Sequence, residues 1–93
     1  MEGAHYSEEI PRDEFVVEIL SYVVAHPRAK DTISGIEKWW LSPKLRGKGS
    51  RTEHVLNLLV TRGWLISRRS PQSETIYSLN ESVVEEVKQF LNQ

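Results

Sequence analysis

Ninety-three residues, 39% hydrophobic and 27% charged, supply one small core and too little chain for two independently folding units. A mean hydropathy of -0.44 with no apolar run near the ~20 residues of a bilayer span excludes a membrane helix, and Met1 to Arg12 lacks the basic and apolar regions of a signal peptide, so a cytoplasmic location is expected. The chain has no cysteine, which removes disulfides and thiolate chemistry, and its net charge of -1 hides a segregation: residues 38–69 hold eight basic side chains against Glu53 alone, +7, while the rest carry -8.

In chain order, residues 1–9 show no apolar period and read as a flexible arm, residues 10–80 as one domain, and residues 81–93 as a terminal helix packed on that domain or used for dimerisation. From Arg12 to His26, Phe15, Val16, Ile19, Leu20, Val23 and Val24 recur at helical spacing, Asp13 and Glu14 sit at the positive end of the helix dipole, and Pro27 ends the element. Asp31 or Thr32 caps a second helix with Ile33, Ile36, Trp39, Trp40 and Leu41 as apolar positions, closed by Pro43. Neighbouring tryptophans on a helix diverge by ~100°, so one of the two is core; the phase of Ile33 and Ile36 slightly favours Trp40 inside without deciding between them. Trp39 is then a candidate interface anchor, or a cover for the wing or terminal helix. Ser42 to Gly49, with a proline and two glycines, reads as a flexible basic loop.

Ser50-Arg51-Thr52-Glu53 has the spacing of a capping box, which predicts a third helix from about Arg51 to the glycine stop at Gly63. Trp64–Arg69 and Thr75–Leu79 are predicted strands, paired as a hairpin across Ser70–Glu74. Beyond Asn80, a plausible cap, Val83, Val84, Val87, Phe90 and Leu91 form the apolar stripe of a terminal helix. The expected fold is mainly α with a small β-hairpin.

The third helix runs directly into Leu59-Val60-Thr61-Arg62-Gly63-Trp64-Leu65-Ile66, and Ile76-Tyr77-Ser78-Leu79 follows the hairpin turn. On these residues the stretch 12–80 resembles a winged helix-turn-helix domain, in which an apolar residue, three more, a glycine and an apolar strand recur where the recognition helix hands over to the wing. The resemblance implies a three-helix core, a two-stranded wing and a C-terminal helix, and assigns no single family within that superfamily.

With Leu59 at the centre of the buried face, helical rotation brings Thr52, Val55 and Leu56 beside it and turns Ser50, His54, Asn57 and Thr61 to the opposite side, as candidate base contacts. Asn57 offers a donor and an acceptor together to adenine, and His54 can hydrogen-bond through either ring nitrogen. Lys44, Arg46, Lys48 and Arg51 before the helix, and Arg68 and Arg69 after it, are candidate phosphate contacts. Glu53 lies near the same surface and repels phosphate unless the capping box holds it. Leu58 on the flank suits a protein contact, and the wing tip Ser70–Glu74 contains no basic residue.

His5, His26 and His54 lack metal-ligand spacing, Gly47-Lys48-Gly49 is a poor match to a phosphate-binding loop, and no catalytic triad order appears. No metal, cofactor or catalysis is expected. Two functions remain: a module for double-stranded DNA, with homodimerisation through the C-terminal helix, or a protein-interaction module of the same shape using Trp39, Leu58 and Phe90, for which the acidic pI of about 6.3 speaks. A third, bland reading is a charge-segregated solvated surface with no partner. The position of the +7 segment in space separates the two functions.

Overall fold

The computed structural model describes residues 10–69, 71 and 74–93. The expected arm at residues 1–9, and Ser70, Gln72 and Ser73 of the expected wing tip, lie outside the described residues. Helix α1, Glu14–Ala25, starts where the Asp13 carboxylate accepts the Val16 amide at 2.9 Å, and it ends one residue before Pro27, which has no amide to continue the ladder. It buries Phe15, Val16, Ile19, Leu20 and Val23, the stripe anticipated from periodicity.

Strand β1, Lys30–Asp31, comes next. Two residues carry no period, so nothing in the sequence announces it. Helix α2, Ile33–Gly35, is capped by the Thr32 hydroxyl, which accepts the Gly35 amide at 3.3 Å. The chain then departs from the expected regular helix and widens into a π-helical turn, Ile36–Trp40, closed by the Leu41 amide donating to the Ile36 carbonyl at 3.2 Å. Ile36 and Trp40 enter the core while Trp39 is 66% exposed.

The expected flexible loop is in fact tethered. Ser42 donates its amide and its hydroxyl to the two Glu18 carboxylate oxygens, at 2.7 and 2.9 Å, a 3-10 turn follows over Pro43–Leu45, and Leu45 is buried. Gly47 reverses the chain at φ 80°, a conformation that costs glycine little.

Helix α3, Gly49–Arg62, begins at Gly49, two residues before the expected start, with Lys48 as its N-cap and no side-chain cap. The Ser50–Glu53 capping box therefore does not form. Tertiary contact overrides the local signal: the Thr52 hydroxyl, fully buried, donates to Glu37 Oε2 at 2.9 Å on the π-helical turn and reaches the Lys48 carbonyl at 3.3 Å. That anchor places Ser50 inside the first turn, where it cannot act as cap. At the other end Gly63 takes the left-handed conformation at φ 91° and its amide closes on Leu59 and Val60, as the glycine stop predicts.

Strands β2, Leu65–Arg69, and β3, Thr75–Leu79, pair in antiparallel register from Leu65 opposite Leu79 to Arg69 opposite Thr75. β1 adds to the far side of β3, with Lys30 opposite Ser78, so the sheet has three strands in the order β1-β3-β2 rather than two. Asn80 closes the base of the hairpin, donating Nδ2 to the Gly63 carbonyl at 2.8 Å while its own carbonyl oxygen accepts the Ser82 amide. A 3-10 turn, Glu81–Val83, leads into helix α4, Val84–Leu91. The chain is thus mainly helical with a small three-stranded antiparallel sheet.

α4 packs against α1, and Val87 and Phe90 are buried there. The Phe90 ring meets Trp64 edge-on at 5.2 Å, and Arg12 donates to the Phe90 carbonyl while lying over its ring. Phe90 is therefore core, which corrects its expected role as an interface residue: 78 positions after Arg12, it completes the same apolar face that α1 begins. Of the stripe offered for dimerisation, Val87 and Phe90 are buried within the chain, and Val83, Val84 and Leu91 are half-buried against the core.

Candidate nucleic-acid interface

α3 presents one solvent-facing side. Thr52, Val55, Leu56 and Leu59 are buried, whereas Ser50, His54, Asn57 and Thr61 are exposed, so the four residues singled out for base contact share a face without a formal charge. Leu58, on the flank, is half-buried. The face is set by packing, since the helix can bury Leu56 and Leu59 only by turning Asn57 and His54 outward.

The eight cations of residues 38–69 divide by what each one meets, and Lys38 lies over the Trp39 ring. Lys44 pairs with Glu14 at 3.2 Å, Arg51 with Asp13, and Arg62 with Glu86. Arg51 also lies over the Phe15 ring, and Arg62 over Trp64, whose indole N–H donates to the same Glu86 at 3.2 Å. Two of the six expected phosphate contacts, Lys44 and Arg51, thus sit beside acids at the start of α1. Both pairs are largely exposed, and such pairs contribute ~0–1 kcal/mol, so they lower the local positive field more than they lock the side chains.

Arg46, Lys48, Arg68 and Arg69 are exposed, and no acid pairs with them among the described residues. Arg46 donates Nε to the Leu41 carbonyl at 3.2 Å, which fixes the guanidinium but leaves its charge. Lys48 is the first residue before α3. Arg69, at the far end of β2, lines a shallow notch with Glu53, Glu74, Thr75 and Tyr77, which brings the outer end of the hairpin beside the first turns of α3. Lys48, before α3, and Arg69, beside Glu53 in its second turn, thus both lie toward the start of that helix.

Released from the capping box, Glu53 faces the hairpin. Burial, and secondarily the Glu53 charge, raise the Tyr77 phenol above its ordinary pKa. Glu53 and Glu74 in this notch offset Arg69, so the hairpin side of the face is weaker in positive charge than the sequence count implies.

Sequence reasoning missed the ion pairs, because their partners Asp13, Glu14 and Glu86 lie 24 to 38 residues away along the chain. It missed the Ser42–Glu18 and Thr52–Glu37 bonds for the same reason. Helical phase left the choice between the two tryptophans open, and packing decides it: Trp39 faces outward and Trp40 inward, stacked on Tyr22 at 5.1 Å. No helix among the described residues is long and apolar enough to cross a membrane. Comparison of the chain with protein-family models, curated proteins and solved structures finds no match.

Proposed function

We propose that this chain is a winged helix-turn-helix module that binds double-stranded DNA, with α3 in the major groove and the β2–β3 hairpin as the wing. The observation that carries the reading is the exposed side of α3 formed by Ser50, His54, Asn57 and Thr61, uncharged polar residues, with Arg46 and Lys48 preceding the helix, Arg69 beside its Glu53, and Arg68 next to Arg69 on the other face of the hairpin. Uncharged donors and acceptors read base edges, and cations at the rim meet phosphates on either side of a groove. Asn57 is the residue assigned to adenine, and His54, about one turn before it, reads the adjoining base. Lys44 and Arg51 are secondary contacts, because they exchange Glu14 and Asp13 for phosphate.

The test is titration of the protein with duplexes of varied sequence at two salt concentrations. Asn57→Ala relaxes the preference among duplexes by about 1–3 kcal/mol at one base position while non-specific affinity stays close to that of the unsubstituted chain. Equal affinity of the unsubstituted chain for all duplexes overturns base reading by α3. A second reading, a protein-interaction module, is favoured by one observation, the 66% exposed Trp39 on the π-helical turn. Absence of any salt-dependent DNA binding moves the assignment to it.

A further inference from the structure

We infer that a second copy of this chain docks on the face made by α1 and the π-helical turn, in a two-fold arrangement that seats Trp39 of each copy in a groove of the other. Trp39 is the most exposed large hydrophobic side chain among the described residues, and it forms one wall of a groove between the turn and α1. The α1 side of that groove carries the small exposed residues Ser21 and Ala25, with Glu18 and Tyr22 beside them. Tyr22 stacks nearly parallel on buried Trp40, interplanar angle 11°, which stiffens the floor. A projecting indole and a shallow depression lined in part by small side chains thus lie next to each other on one face. A two-fold contact requires this, because each copy must offer both parts to the other.

Charge selects the same occupant. Lys38 lies over the Trp39 ring, 5.8 Å from its centroid, so the projecting part is cationic. Glu18, held in place by the two Ser42 hydrogen bonds, is the acid among the residues lining the groove, and His26, against Tyr22 at 4.5 Å, is the other titratable group there, so Glu18 is the one carboxylate this lining offers to a cation. Two copies related by a two-fold axis set Lys38 of each toward Glu18 of the other, and the nearly neutral chain offers no net repulsion to oppose this. π-helical turns occur disproportionately at functional sites, and here the widened turn sends Trp40 inward and Trp39 outward. The stripe of α4 is not available for the purpose, since Val87 and Phe90 are buried within the chain.

The inference stands apart from DNA binding, because its test contains no nucleic acid. Sedimentation equilibrium of the full chain at neutral pH shows a dimer with a dissociation constant of about micromolar order. Trp39→Ala weakens it by about a thousandfold, since both symmetric contacts lose an anchor worth about thirtyfold. Ser21→Arg, at an exposed helical position, blocks the depression and gives a monomer whose melting curve matches that of the unsubstituted chain when both are measured well below the dissociation constant. Lys38→Glu and Glu18→Lys chains each weaken self-association, and mixing the two restores a heterodimer. A chain that stays monomeric up to about 1 mM overturns the proposal and leaves the face to a different partner or to none. Retention of full dimer affinity in both Trp39→Ala and Ser21→Arg overturns it as well, by placing the interface elsewhere.

Discussion

Val87→Ala tests whether α4 belongs to the core of its own chain. Val87 has no exposed surface, and it sits where α4 meets α1. Truncation removes two buried methyl groups, at about 0.8 kcal/mol of transfer free energy each, and leaves a small cavity whose lining relaxes only in part, for a total of about 2 kcal/mol. A domain of this size has a stability of about 5–14 kcal/mol, so the variant still folds, and its thermal midpoint falls by about 8–16 °C. The assay is urea and thermal unfolding followed by circular dichroism over a hundredfold range of protein concentration. If α4 packs within the chain, the difference between variant and unsubstituted protein is the same at every concentration. A difference that shrinks toward zero on dilution, or a loss below about 0.5 kcal/mol, refutes the intramolecular assignment.

Thr52→Val keeps the shape of the buried side chain but removes the hydrogen bond to Glu37, and it should cost about 1.5–3 kcal/mol in a urea melt because the lost acceptor is a half-buried carboxylate. The Tyr77 phenol is raised in the folded state, so it stays protonated where the unfolded chain has begun to ionise; its stabilising effect is complete below pH ~10 and disappears as pH rises through the higher folded value. Tyr77→Phe should therefore flatten the loss of stability that sets in above pH ~10, seen in urea midpoints measured from neutral pH upward. In DNA titrations, contacts by Arg46, Lys48, Arg68 and Arg69 correspond to a log–log salt slope of about -3.6, or roughly 150-fold weaker binding between 50 and 200 mM salt. Lys48→Ala should reduce the slope by about 0.9 and Lys44→Ala by much less, and equal effects of the two would show that the Glu14 pairing is without consequence.

Much of the fold was legible because its signals are local. The stripe of α1, the outward turn of Asn57 and His54 on α3, the glycine stop at Gly63 and the pairing of Leu65–Arg69 with Thr75–Leu79 each follow from a period or a turn within about twenty residues. The capping box was a local signal that failed. Ser50 and Glu53 have the right spacing, yet a buried hydroxyl one residue before Glu53 finds Glu37 on another element and fixes the helix start earlier. The two-residue β1 and the π-helical turn left no mark that periodicity can detect.

What the sequence determines here is what each stretch does with its own apolar side chains: which faces turn inward, where helices stop, and which polar residues share the outer side of α3. Only tertiary structure decides which charges meet, because ion pairing depends on distance in space and the sequence count of +7 takes no account of Asp13, Glu14 and Glu86 brought in from other helices. The fate of α4 is decided at the same level. An amphipathic helix must bury its stripe against some apolar surface, and the nearness of α1 and Trp64 makes that surface the chain's own.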